Sequence, residues 1–135
     1  MPDETRDLAE EFDARYRIIE RPVMRRIERN VNGSDYGATS YTTMTQADLL
    51  GELLELAPGK LLLDFGSGAG WPGIHLARST GCDVVLVDLP LEGLRRAARR
   101  TKDDGVDGVV MAASAAALPL RDEVFDAATS SDVLC

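Results

Sequence analysis

Residues Leu61–Ala77 read LLLDFGSGAGWPGIHLA. A short apolar run ends on Asp64, glycines follow at alternate positions (Gly66, Gly68, Gly70), and a helical pattern begins near Pro72. A strand feeding a glycine turn feeding a helix is how α/β proteins build a nucleotide pocket. The glycines let the backbone approach the ligand, and the helix N-terminus offers unpaired amides.

Outward from this stretch, strands and helices alternate. Lys60–Phe65 predicts a first strand, and Trp71–Thr80 a helix stopped by Gly81. Asp83–Asp88 (DVVLVD) is a second strand whose near-continuous valine and leucine indicate burial on both faces of a parallel sheet. Pro90 suits a helix N1 position, with Leu91, Leu94, Ala97 and Ala98 as the inner face as far as Asp103. Gly108–Ala112 and Phe125–Ser130 predict a third and a fourth strand. The expected fold class is α/β, a Rossmann-like, doubly wound parallel sheet with right-handed crossovers.

Upstream, Leu8, Phe12, Tyr16, Ile19, Val23 and Ile27 recur at helical spacing. Pro22 lacks an N–H and clashes with the preceding turn, so two helices or a kinked one are expected. Val31–Ser40 is a loop by composition. Thr45 with Asp48 resembles a capping box opening a helix that Pro58-Gly59 ends. The expected organisation is a helical cap and loop over 1–43 and a cofactor-binding domain over 44–135. The chain stops just past the fourth strand, with no helix to cover that edge. It reads as the front part of something longer, and the open edge as a place for self-association.

Composition narrows the class. The chain has 135 residues, 44% of them apolar, and a net charge of −8, which disfavours gripping nucleic acid or an anionic membrane by charge. Arg95, Arg96, Arg99, Arg100 and Lys102 suit a solvated helix face. Cys82 and Cys135 make no disulfide framework and no metal-ligand spacing. There is no signal peptide in the charged N-terminus and no run near the ~20 apolar residues of a membrane span. These features predict a soluble, cytoplasmic protein without a metal site.

The spacing around the turn bears on the ligand. A dinucleotide fingerprint has its third glycine three positions after the second, where this chain has Trp71. An acid at Asp64, at the mouth of the pocket, would repel a pyrophosphate. It suits S-adenosyl-L-methionine, which carries an α-ammonium and a sulfonium, while free amides of Gly66–Gly70 could meet its carboxylate. The plainer alternative is a tight turn with Asp64 capping the helix. Asp88 lies 20 residues past Gly68, at the end of the second strand, where an acid accepts hydrogen bonds from both ribose hydroxyls. Leu89 and Pro90 could wall the adenine. Alternatively, Asp88 only caps the next helix.

From Met44 onward the chain resembles a class I S-adenosylmethionine-dependent methyltransferase of the small-molecule type, related to ubiquinone/menaquinone C-methyltransferases. DFGSGAG resembles the first motif, VVLVDLPLEGLRRA the second, and ASAAALPLRDEVFDAATSSDVL the third and fourth, in family order. The resemblance implies a cofactor site of Asp64, Gly66, Ser67, Gly68, Gly70, Asp88, Leu89, Ser114, Ala115 and Ser130. Ser114 stands where the family has an aspartate for the adenine amino group, a weaker neutral acceptor, with Ala115 backbone beside it. Tyr36 and Tyr41 could fold over the methionine end of the cofactor or simply pack. His75 is expected at the surface, with no partner that signals a triad or metal site, and no residue presents itself as a catalytic base. Methyl transfer to a small-molecule acceptor is the expected function. A truncated or degenerate cofactor-binding module without turnover stands beside it, as does an NAD(P)-dependent oxidoreductase, against which Asp64 and the glycine spacing argue.

Overall fold

The computed structural model describes residues 3–133. Helices α1 (Asp3–Ile19) and α2 (Pro22–Asn32) form the N-terminal part. They break where Pro22 requires it: Arg21 is extended and Pro22 occupies the first turn of α2. Gly33, at φ 75°, ends α2 in the left-handed conformation and donates its N–H to the Arg29 carbonyl. Helix α3 (Met44–Leu53) does open with a capping box, but the pair is Thr43 and Gln46 rather than Thr45 and Asp48. Both pairs have the required spacing. The earlier one closes reciprocally, with Gln46 N–H on Thr43 Oγ1 at 3.2 Å and Thr43 N–H on Gln46 Oε1 at 2.9 Å, leaving Asp48 free to bond elsewhere.

The rest is an α/β unit: β1 (Leu61–Phe65), α4 (Gly73–Thr80), β2 (Asp83–Asp88), α5 (Leu91–Asp103), β3 (Gly108–Ala112) and β4 (Ala127–Thr129). The four strands lie in the order β3-β2-β1-β4, all parallel, with Leu62 opposite Val84 and Ala127. β4 is half the expected length, pairing over three residues with β1.

Alternation along the strands separates two cores. Leu62, Val84 and Leu86 face α3, α4 and α5, packing with Ala47, Ile74, Leu76 and Ala97. Leu63, Val85 and Val87 face the other way, against Leu118, Leu120 and Phe125 from the segment between β3 and β4. The α/β helices among the described residues thus lie on one face, and that irregular segment covers the other.

Helix α5 departs from its expected pattern. Leu91 and Ala98 are exposed, whereas Arg96 is 8% exposed. α1 packs along α5, so α5 has two covered flanks: Leu94, Ala97 and Thr101 toward the sheet, and Gly93 and Arg96 toward the cap. The Arg96 guanidinium reaches Glu20 at 3.2 Å and Glu92 at 3.4 Å, with the Tyr16 ring 5.8 Å away. Asp13 of α1 accepts the Glu92 N–H at 2.8 Å, so a carboxylate from the cap supplies the α5 N-cap that Pro90 cannot.

Glu28 fixes the path from the cap to the sheet. Its buried carboxylate accepts Ser34 Oγ at 3.0 Å and the Tyr36 and Gly37 amides at 2.8 Å each. Removing this acceptor strands three donors in a buried turn. Glu28→Ala is expected to destabilise the fold by about 2–3 kcal/mol, with Glu28→Gln losing less, as read from urea unfolding midpoints.

Candidate functional site

The candidate site lies at the carboxyl ends of β1, β2 and β4, where the Leu61–Ala77 stretch turns. β-strand parity decides how Asp64 is used. Leu62 and Asp64 share a face, so the carboxylate points under α4, not out at a pocket mouth. Asp64 is fully buried, and its Oδ2 accepts the Gly73 N–H at 3.0 Å, the first residue of α4. A Cβ on Gly73 would lie 2.4 Å from that oxygen and 2.7 Å from Leu86 Cδ2, so only glycine fits there. The capping alternative is therefore realised for Oδ2.

Asp88 supports the turn from the neighbouring strand. Its Oδ2 accepts the Gly68 N–H at 2.7 Å and its Oδ1 the Leu89 N–H at 2.8 Å. The expectation of free turn amides is corrected. Gly66 and Ser67 donate to the Val87 carbonyl, Gly70 donates to Ser67, and Gly68 is held by Asp88. Of residues 66–70, only the Ala69 amide is left without such a bond among the described residues.

Three buried polar atoms around the turn have no hydrogen-bond partner among the described residues: Asp64 Oδ1, Ser67 Oγ and Ser130 Oγ. Thr129 pairs with Asp64, so Ser130 emerges from β4 beside the turn. Ser114 and Ala115 follow β3; the Ala113 N–H bonds the Asp88 carbonyl at 3.0 Å, which puts this loop next to Asp88. The Ser114 hydroxyl accepts the Ala116 N–H at 3.2 Å, closing its own turn. All ten sequence-derived site residues therefore lie along one edge of the sheet.

Residues 62–135 match the methyltransferase domain family. The chain belongs to that family. Squalene methyltransferase 1 of Botryococcus braunii is 31% identical over 94 residues, covering 68% of this chain and 25% of the relative. Sarcosine/dimethylglycine N-methyltransferase of Halorhodospira halochloris is 34% identical over 80 residues, covering 58% of this chain and 29% of the relative. Among solved structures, a SAM-dependent methyltransferase from Thiobacillus denitrificans, in complex with S-adenosyl-L-homocysteine, superposes with a TM-score of 0.63 at 28% identity. That match covers 78% of this chain and 42% of the other. The chain thus spans about a quarter of the length of these curated relatives.

Other side chains in this methyltransferase-family chain also lie against the glycine turn. The tyrosine at the glycine turn is Tyr16, not Tyr36 or Tyr41. A Cβ built on Gly68 would lie 2.0 Å from the Tyr16 hydroxyl, and one on Gly66 the same distance from Val133 Cγ2. Two side chains thus lie directly on the turn, one from α1 and one from the segment after β4. Tyr36 instead packs its ring 5.0 Å from Trp71 and under the Arg100 guanidinium, and Tyr41 is exposed. Helical periodicity marked Tyr16 as core but could not say which surface it would meet.

Trp71 is buried between Tyr36 and His75 and donates Nε1–H to the Thr42 carbonyl at 2.9 Å, tying the turn to the linker. His75 is partly buried rather than fully at the surface, and its Nε2 lies 2.7 Å from Asp48 Oδ1 across α3 and α4. Among the described residues, no His/Cys/Asp/Glu group could hold a metal ion, and no helix is long and apolar enough to cross a membrane.

Burial sets the protonation of the site. It pushes the Tyr16 hydroxyl up to about 12, so Tyr16 stays neutral, with a hydrogen bond from Thr39 pulling the other way. Burial raises the Asp88 carboxyl, with the Leu89 and Gly68 amides pulling the other way. It raises Asp64 well above 3.8, opposed by the Gly73 amide and reinforced by the Asp88 charge. A carboxyl raised on folding leaves the native state holding more protons than the unfolded chain above pH 3.8. Stability then falls as pH rises from there through the folded pKa. Asp64→Asn should flatten that fall. The check is urea unfolding of both proteins from about pH 4 to 8; parallel curves would contradict it.

Proposed function

We propose that this chain binds S-adenosyl-L-methionine and serves methyl transfer to a small-molecule acceptor. The observation that carries the reading is the set of buried, unpartnered atoms at the turn: Asp64 Oδ1, Ser67 Oγ and Ser130 Oγ. Buried polar atoms are rarely left unpaired, and these three surround the turn at which a nucleotide is bound in this kind of fold. They fit a ligand that offers both donors and acceptors there. S-adenosyl-L-methionine, when bound, supplies a methyl group on a sulfonium that a nucleophile can displace in line.

The chain's own contribution is binding, orientation and exclusion of water. Asp88 would hold the ribose hydroxyls with the lone pairs its two amide bonds leave. Leu89 would wall the adenine, and Ser114 with the Ala115 backbone would meet its edge. Gly66, Gly68 and Gly70 let the backbone turn close to the ligand, and Tyr16 would meet whatever lies in front of Gly68. Such catalysis rests on alignment and a dry site, so no general base is assigned. The order of motifs supports the small-molecule, ubiquinone/menaquinone-like type, with residues 1–43 as a cap on the cofactor domain. The buried free thiol of Cys82 suits a cytoplasmic, reducing setting, and the edge of β4 is where copies would associate.

Calorimetry should show S-adenosylhomocysteine binding and none for NADH; tighter NADH binding would refute the reading. Asp88→Asn should weaken S-adenosylhomocysteine about tenfold or more, ~1.4 kcal/mol. Ser67→Ala and Ser130→Ala should weaken it a few-fold while leaving stability unchanged or raised, because each deletes a hydroxyl without a partner in the ligand-free protein.

A further inference from the structure

The arginines of α5 do not all form a solvated face. Arg96, Arg99 and Arg100 line a cavity of about 270 Å³ between α5 and the N-terminal part, and Arg25 of α2 lines it from the other side. Four guanidinium groups from two helices thus border one small space, in a chain whose net charge is −8. Like charges at such range repel one another unless a counter-charge lies between them.

The protein's own groups offset part of that repulsion. Arg25 Nε donates to Asp35 Oδ1, and Arg25 Nη2 and Arg100 Nη2 both donate to the Asp35 carbonyl, at 2.6 and 2.9 Å. Glu20 is shared, 3.2 Å from Arg96 Nε and 3.9 Å from Arg25 Nη1. Two nitrogens are left over, and they lie at one place. Arg96 Nη1 is buried with no hydrogen-bond partner among the described residues, and Arg25 Nη1 has only the long contact to Glu20. A Cβ built on Gly37 would lie 3.6 Å from Arg25 Nη1 and 3.7 Å from Arg96 Nη1, so both flank the gap in front of that glycine. Arg99, exposed at the rim, makes no ion pair among the described residues.

We infer that this cavity binds a small tetrahedral oxyanion of the phosphate class, seated between Arg25, Arg96, Arg99 and Arg100. Guanidinium groups arriving from two helices match an anion whose oxygens radiate in several directions. A planar carboxylate is saturated by a single fork. Glu20, Asp103 and Asp104 border the same space, so it admits one phosphoryl group and repels a polyanionic strand. None of the lining residues belongs to the glycine turn, so the site is distinct from the proposed cofactor site. Its ligand bridges α2 and α5 and adds a tie between the cap and the α/β unit.

Calorimetry of the 135-residue chain with inorganic phosphate, in chloride buffer of matched ionic strength, tests this. One equivalent should bind saturably, and phosphate should raise the urea unfolding midpoint above that in the matched chloride. Arg96→Gln should weaken phosphate about tenfold or more through loss of a desolvated charged donor. Arg99→Gln, at an exposed position, should weaken it about two- to fivefold. Arg96 also pairs with Glu20 and Glu92, so Arg99→Gln decides the matter if Arg96→Gln does not fold. Arg95→Gln removes the same charge from the same helix outside the cavity and should leave affinity unchanged. Absence of saturable binding, or equal weakening by Arg95→Gln and Arg99→Gln, overturns the inference. So does displacement of phosphate by S-adenosylhomocysteine, which puts the anion in the cofactor site. Glycerol 2-phosphate separates the two sources of a phosphoryl group. Displacement by it assigns the site to phosphate monoesters, no displacement assigns it to the free ion, and either result upholds the oxyanion site.

Discussion

The carboxylate of Asp64, buried beneath the N-terminus of α4, is the constraint on which the rest of the site depends. Its bond to the Gly73 amide holds the helix against β1 with no room for a side chain between them. The backbone from Phe65 to Pro72 then follows a short path in which Gly66, Gly68 and Gly70 all take positive φ. Burying a carboxylate is costly, and a helix N-terminus is one of the few places where the field offsets that cost. The same placement leaves Oδ1 without a partner, so one residue both braces the turn and keeps an atom in reserve beside it.

Asp88 repeats this logic one strand over. By accepting the Gly68 and Leu89 amides it ties the turn to the start of the α5 segment, so the two acids set the spacing of β1, β2 and their helices together. The Asp88 charge adds to the cost of ionising the buried Asp64.

The cap is attached at three kinds of contact, each different in physics. Asp13 caps α5 electrostatically, Tyr16 fills the space before Gly68 sterically, and Trp71 reaches the linker through both ring packing and its indole N–H. Arg96 joins these by bringing a guanidinium into the seam between α1 and α5, where Glu20 and Glu92 flank it. A helix pair with many exposed apolar residues is thus held over the turn mainly by polar and aromatic contacts at its inner face.

Local chemistry in the chain determined the elements. Pro22 separates α1 from α2, valine-rich DVVLVD is β2 to the residue, Gly81 stops α4, and the strand–glycine–helix order requires a parallel sheet. The glycine turn, Asp64 and Asp88 could be placed at strand ends for the same reason, while Ser114, Ala115 and Ser130 were placed by resemblance to the family. What only the tertiary structure decided are facts about opposing surfaces. Asp64 turns inward because alternation puts it on the face that α4 covers, and the turn amides are consumed because Val87 and Asp88 lie alongside. Arg96 is buried because α1 packs on α5. Tyr16, rather than Tyr36 or Tyr41, meets Gly68 for the same reason. Periodicity along one element reports which side is covered; it carries no information about which distant residue does the covering, because that is set by packing between segments far apart in the chain.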